Sequence, residues 1–375
     1  MEYNTTILVD TALIVVCLAM AMVFLTIPIP KTKGLYKYRI SLRFLAGAYL
    51  IVALVKTAVI LFKITHVDLI SMERLTISSF QATLYNFALI TLINPRFINR
   101  RFLYYQIIPV IALNMLYILV ASRFGHPVLP NLSKLTELAL QPPVLVRELF
   151  VLFYIFQIIY FCRLFILKVR QYKKNINDYF SESYRLYLPW IEYCYFTALT
   201  IGIGALISCF IQSENLVLLF NIVCIVFYFV FGICYIQYPQ TFKLIEPAIY
   251  TPGSNPAEGT KINKHVVWNE LREVIIQEKY YLRPEVNIED MAHHLKIGRT
   301  TLSKFINSEE KMNFNSWVNT LRIEEAKQLL LTYPDYTLIE ISEMVGYSES
   351  SNFSRQFKLI TKVSPSVWRI TTKTK

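Results

Sequence analysis

NIEDMAHHLKIGRTTLSKFI (residues 287–306) and TLIEISEMVGYSESSNFSRQF (residues 337–357) follow one plan. Each carries a small residue, Ala292 or Ser342, where two helices would have to cross closely. A tight turn follows, KIG at 296–298 in the first copy and Gly346 in the second. Ile288, Met291, Leu295, Ile297, Leu302 and Phe305 are spaced to seal the first pair of helices. Leu338, Ile341, Val345, Phe353 and Phe357 do the same for the second. A polar face remains on the later helix of each pair: Arg299, Thr300, Ser303, Lys304 and Asn307, then Glu349, Ser350, Asn352 and Arg355. Such side chains can meet phosphates and base edges.

Between the copies, FNSWVNTLRIEEAKQLLL (314–331) reads as an amphipathic helix with Trp317, Leu321, Ala326, Leu329 and Leu330 inward. At about 1.5 Å per residue it spans about 27 Å. A rod of that length can hold two reading helices near one turn of DNA apart, roughly 34 Å. Arg322, with Glu324 and Glu325 after it, is expected in an internal ion pair rather than on DNA. Apolar residues also recur at three and four in Val267, Leu271, Val274 and Ile275, so residues 265–375 read as one all-helical domain.

Over about residues 265–370 this pattern resembles the AraC family of bacterial transcription regulators. The matching positions include Ala292, Leu302, Phe305, Arg322, Ala326, Leu330, Ile341, Gly346, Tyr347, Phe353, Phe357, Pro365 and Arg369. The family's longer second turn is kept, because Leu302 follows Ala292 by ten positions and Phe353 follows Ser342 by eleven. Lys311 and Lys362 stand where the family usually has Gly after a recognition helix. A left-handed Lys costs about 1 kcal/mol, which a domain can carry. Ser342 replaces a usual Ala, and Ile306 a usual Phe. The resemblance implies two recognition helices in successive major grooves of double-stranded DNA carrying an operator. It places Thr300, Ser303 and Lys304, with Asn307 on the same face, toward the first groove. Ser350, Ser351, Asn352 and Arg355 face the second, and Arg299 and Lys358 lie at phosphates. Pairing of two copies as a homodimer would add to the affinity.

Before residue 240 the composition is different. Seven apolar stretches, near 7–29, 40–63, 75–94, 102–121, 144–167, 190–211 and 216–238, are long enough to cross a bilayer, for which roughly 20 residues are needed. The third, around TISSFQATLYN, is the least apolar. Aromatic residues at the span ends, including Tyr36, Tyr38, Tyr104, Tyr105, Tyr187, Trp190, Tyr235 and Tyr238, suggest an interfacial belt. Loops 30–39, 95–101 and 168–189 hold twelve basic residues, and the alternate loops hold only Arg74, Arg123 and Lys134. The positive-inside rule then puts the N-terminus outside and the C-terminal domain in the cytoplasm of a bacterium. No basic n-region or small-residue cleavage site marks a signal peptide. The expected organisation is a seven-span transmembrane region at 1–239, a Pro/Gly-containing linker at 240–264 and the helical domain at 265–375. The fold class is all-α: a seven-helix transmembrane bundle followed by a tandem helix-turn-helix domain.

The chain of 375 residues is 54% hydrophobic and 17% charged, too apolar for one soluble domain. That balance excludes disorder and collagen-like repeats. The net charge of +12 suggests a nucleic-acid binder, but it divides unevenly. Residues 1–239 hold 20 basic and 10 acidic residues, and residues 261–375 hold 17 and 14. Most of the excess therefore orients the membrane half. All six cysteines lie in apolar runs, with no CxxC pair, so neither a zinc site nor a disulfide framework is expected. Adjacent His293 and His294 would point about 100° apart on a helix and make a poor ligand pair. No Gly-rich phosphate loop, nucleophile motif or HExxH is present, so no cofactor and no enzymatic activity are expected. Lys56 lies deepest of the charged residues in the spans. With Asp10, which falls in the same outer half and could pair with it, it is the candidate for intramembrane sensing of an effector. Gln81, Asn86, Gln106, Asn114, Gln157 and Asn221 are expected in interhelical hydrogen bonds. A bundle of seven spans exceeds what a lipid anchor needs, which favours a sensor. The alternative is a regulator fused to a transporter- or enzyme-like membrane domain.

Overall fold

The computed structural model of the chain describes residues 2–30, 35–61, 68–95, 97, 100–183, 186–211, 213–250 and 264–373. Among them every regular element is a helix. The one extended pairing is an isolated antiparallel bridge between Phe180 and Asn287. The chain divides into two compact units, neither continuous in sequence: 1–170 with 188–243, and 171–187 with 244–375.

The first unit contains α1 (Glu2–Thr26), α2 (Tyr36–Leu61), α3 (Met72–Ile93), α4 (Arg100–Phe124), the short α5 (Leu132–Leu138), most of α6 (Pro142–Asn177), α7 (Pro189–Ser208) and α8 (Glu214–Ile236). All but α5 are long and apolar enough to cross a membrane. The weakest span on hydropathy has a structural reason. α3 packs against α2, α4 and α7. Two thirds of its apolar window (67%) is buried, against 39% or less in the other six spans. Its polar residues Ser79, Thr83, Asn86 and Thr91 are therefore turned into the protein interior. Ser79 donates to Gln157 Oε1 (2.6 Å), and Gln157 Nε2 donates to Thr83 (3.0 Å), all three buried. A buried polar group must find such a partner or lose its hydration uncompensated.

The aromatic belt expected at the span ends is only partly one. Tyr36, Tyr104 and Tyr105 are exposed, but Tyr38, Tyr235 and Tyr238 are interior. Their hydroxyls donate to the backbone carbonyls of Tyr235, Ala88 and Leu92 respectively, so the rings fill the core while each polar end is satisfied. α6 also outruns its expected end at 167 and reaches Asn177, with Tyr172 and Ile176 buried along its last turns. The region expected as a linker begins with a helix instead, α9 (Tyr238–Tyr250). Pro239 sits in its first turn, where the missing N–H costs no intrahelical bond. The rest of the expected linker, residues 251–263, lies outside the described residues.

The second unit holds α10 (Lys264–Gln277), α11 (Ile288–His294), α12 (Arg299–Phe305), α13 (Phe314–Thr332), α14 (Leu338–Met344), α15 (Ser350–Thr361) and α16 (Pro365–Lys373). Local chemistry sets the starts. Asn287 caps α11 by accepting from the Glu289 and Asp290 N–H groups, and Asn313 caps α13 through Ser316. Thr337 and Glu340 close a capping box on α14. The Thr337 N–H and hydroxyl hold the Glu340 carboxyl below its usual range. Around α13 two apolar clusters form. In one, Trp268 stacks on Phe305 and packs against Trp317, and Met291, Ala292 and Leu302 of the neighbouring helices are buried. The other gathers Ile323, Ala326, Leu330, Ile341, Val345, Tyr347, Phe353 and Phe357.

Candidate nucleic-acid interface

Both helix pairs turn by the same device. Leu295 and Val345 are the last cap residues of α11 and α14. In the first turn Lys296 N–H donates to His293 C=O and Ile297 N–H to Ala292 C=O. In the second, Gly346 N–H donates to Glu343 C=O and Tyr347 N–H to Ser342 C=O. These are paired Schellman bonds, which need a left-handed residue after the cap. Lys296 (φ 56°) and Gly346 (φ 83°) supply it. The small residues Ala292 and Ser342 are both buried. Ser342 keeps the role by returning its hydroxyl to the Ile339 carbonyl, 2.8 Å away. Lys311, after the π turn that follows α12, and Lys362, after α15, are left-handed at φ 55° and 68°, as their place in the pattern requires.

On α12 and the π turn after it, Leu302, Phe305 and Ile306 are buried. Thr300, Ser303, Lys304 and Asn307 fall at positions i, i+3, i+4 and i+7, which is one helical stripe. Lys304 and Asn307 are exposed, Thr300 and Ser303 half-buried, and Asn307 Nδ2 donates to Ser303 Oγ at 3.3 Å. On α15, Phe353 and Phe357 are buried, and Ser351, Arg355 and Lys358 form the matching exposed stripe with Ser350 half-buried beside it.

Two residues depart from the expected outward face. Asn352 is only 8% exposed. Its Oδ1 accepts from Arg355 Nη2 at 2.8 Å, and its Nδ2 donates to Glu182 at 3.4 Å. The Arg299 guanidinium lies over the Tyr179 ring, 4.7 Å from its centroid, and its Nη1 is buried with no hydrogen-bond partner. Arg322 is internal as expected, but not with its helix neighbours. It is fully buried, donates to the Tyr281 and Arg283 carbonyls at 2.8 Å each, and reaches Glu182 at 3.4 Å. Glu324 pairs instead with Lys327 and Glu325 with Lys279. Burial lowers the Arg322 pKa, and Tyr347 and Glu182 oppose that. Sequence reasoning missed Tyr179 and Glu182. The available signal was that Asp178 and Glu182 are the only acidic residues in the otherwise basic stretch 168–189.

In the first unit, Lys56 and Asp10 do meet, with Nζ 2.9 Å from Oδ1. Asn221 Nδ2 donates to the same oxygen at 2.9 Å, so the buried carboxylate has two donors. Lys56 and Asn221 line a mostly apolar cavity of about 320 Å³ together with Gln81, Tyr85, Asn86 and Tyr228. Gln81 accepts from Tyr228, Asn114 from Thr76, and Gln157 from Ser79, the interhelical role expected for them. Arg147 is buried, paired with Asp68 at 2.9 Å and donating to the Tyr117 hydroxyl and the Pro127 carbonyl.

A protein-family model described as a helix-turn-helix domain matches residues 291–370. Among curated proteins, the chain is similar to the regulatory protein PocR of Salmonella typhimurium, 29% identical over 89 residues, covering 24% of this chain and 29% of that protein. It is also similar to the raffinose operon transcriptional regulatory protein RafR of Pediococcus pentosaceus, 32% identical over 115 residues, covering 30% of this chain and 40% of that protein. The chain thus spans less than half the length of these relatives. Among solved structures it is similar to the C-terminal domain of AraT, a response regulator from Geobacillus stearothermophilus. There the identity is 30%, with 28% of this chain and 84% of that chain covered and a TM-score of 0.26. With the tandem motifs, both Schellman turns and this family match in place, the C-terminal part of the chain is a helix-turn-helix domain of the AraC type, found in bacterial transcription regulators.

Proposed function

We propose that this protein is a membrane-embedded, one-component transcription regulator. Its domain binds specific double-stranded DNA by laying α12 and α15 into adjacent major grooves of an operator. Thr300, Ser303, Lys304 and Asn307 address one groove and Ser350, Ser351 and Arg355 the next, with Arg299 and Lys358 on phosphates. The observation that carries this is the pair of exposed polar stripes flanking one 19-residue helix, α13, which is about 28 Å long. A modest surplus of basic residues in the domain means that affinity rests on a few placed side chains and on pairing two copies. The seven-helix half sits in the bacterial inner membrane with its N-terminus outside and the domain in the cytoplasm, as the one-sided basic loops support. It responds to an effector, for which the cavity beside Lys56 and Asp10 is the receiving place, since an intramembrane ion pair is expensive to keep without a use.

Genome-wide mapping of bound sites in cells tests the DNA reading. Lys304→Ala with Arg355→Ala should collapse occupancy at the sites held by the wild type; unchanged occupancy by the folded variant would refute it. Lys56→Met should abolish the response of the target genes to conditions that change their expression, and a variant with unaltered signalling and stability would remove the sensing role.

A further inference from the structure

The short stretch between the fifth and sixth apolar helices packs inside the DNA-binding unit, and it does so at both recognition helices. Its backbone pairs with the residues leading into α11: Ile288 N–H donates to Tyr179 C=O at 2.9 Å, and Ser181 N–H to Val286 C=O at 3.2 Å. Two buried asparagines on α13 hold it from the other side. Asn315 Nδ2 donates to the Phe180 and Ser181 carbonyls, and Asn319 Nδ2 to the Ser181 carbonyl.

Its side chains then reach the DNA-facing elements. The Glu182 carboxylate accepts from the Ser348 N–H (3.1 Å), the Ser348 hydroxyl (2.7 Å) and Asn352 Nδ2 (3.4 Å), at the entrance to α15. Backbone N–H and hydroxyl groups at such an entrance are the groups that take a DNA phosphate. At the other recognition helix, Tyr179 lies under Arg299, the first residue of α12, and its hydroxyl donates to Glu289 at 2.6 Å. Arg299 Nη1 is buried there with no hydrogen-bond partner. Such a donor lacks the acceptor that a phosphate oxygen would supply.

We propose that residues 178–183 are an intramolecular latch that competes with DNA. In the docked state Glu182 stands in for a phosphate at α15 while Tyr179 holds Arg299 at α12, so both recognition helices are engaged by one six-residue segment. Displacing that segment frees both helices together. The segment directly follows Asn177, the last residue of α6, which runs unbroken from Pro142, so a change in the fifth span is passed on by covalent continuity. The proposal rests on the reading of α12 and α15 as the DNA-facing helices.

The test uses the full-length protein in nanodiscs, titrated with an operator fragment taken from the mapped sites. Glu182→Gln keeps the shape and removes the charge, and it should raise affinity by about fivefold or more, the lower range of a coupling between two states. Affinity unchanged or lowered, in a variant that melts like the wild type, overturns the latch. Lys304→Ala and Arg355→Ala are titrated alongside. If these bind as the wild type does, the DNA-facing reading itself fails, a result separate from the behaviour of Glu182. A second measurement needs no substitution. Saturating operator DNA should speed hydrogen exchange at the Ser181 and Ile288 amides of the wild-type protein, because the bonds that protect them open. Slowed or unchanged exchange at both overturns the proposal.

Discussion

The two helix-turn-helix pairs share a turn, yet they solve it with different residues. Lys296 and Gly346 occupy the same place, each after the cap of its first helix and each with a positive φ. Lys296 is exposed, so its side chain leaves toward solvent. A Cβ on Gly346 would meet the Leu282 carbonyl oxygen at 2.2 Å and its carbon at 2.8 Å, with Arg322 Nη2 at 3.1 Å. The glycine is therefore demanded by the close approach of the 280–282 turn as well as by the backbone angle. Two motifs that look alike in sequence thus differ in how much of the domain leans on them. The first turn leaves its left-handed side chain in solvent, and the second is where the 280–282 turn and the buried Arg322 press on the left-handed residue itself.

Substitution at the two turns should separate them most widely. Gly346→Ala should destabilise the domain by about 3 kcal/mol or more, since overpacking against backbone adds to the left-handed strain. Lys296→Ala at the equivalent place should stay within about 0.5 kcal/mol. Denaturant melts followed by the fluorescence of the domain's tryptophans would read both, and equal effects would erase the distinction. Binding should be more even. Lys304→Ala and Arg355→Ala should each weaken operator binding by about 1–3 kcal/mol, checked by titration at fixed salt.

How far this comparison could be read from the sequence depends on the range of the contacts. Apolar periodicity and the ten- and eleven-residue spacings place both motifs, because sealing residues such as Leu302 and Phe353 act within their own helix pair. The demand on Gly346 needs Leu282, which comes more than 60 residues earlier. Glu182 was illegible for the same reason, since its partners Arg322, Ser348 and Asn352 lie 140 to 170 positions away. The run 168–189 read as an orientation signal because basic residues dominate it, while Tyr179, Glu182 and the backbone between them carry its contacts. Hydropathy ranked α3 as the weakest span for an equally physical reason: a helix buried among helices is free to be polar if its hydroxyls and amides find each other.

Smaller effects test the starts of the two pairs. Thr337→Ala and Asn287→Ala should each cost about 1 kcal/mol, the usual worth of a side-chain N-cap. A markedly smaller loss at Asn287, whose backbone is also tied to Phe180, would show that the bridge secures α11 without the cap. Lys296→Gly should stabilise by up to about 1 kcal/mol, by relieving the left-handed strain that the first turn tolerates. A loss of stability there would mean that the lysine side chain contributes more than its backbone angle costs.

The central claim is that one domain reads DNA with two helices at once. Methylation interference on a bound operator, with the full-length protein in nanodiscs, addresses it directly. Two interfering major-groove tracts about one helical turn apart are expected, one relieved in Lys304→Ala and the other in Arg355→Ala. A single tract, or two tracts that respond alike to both substitutions, would contradict it.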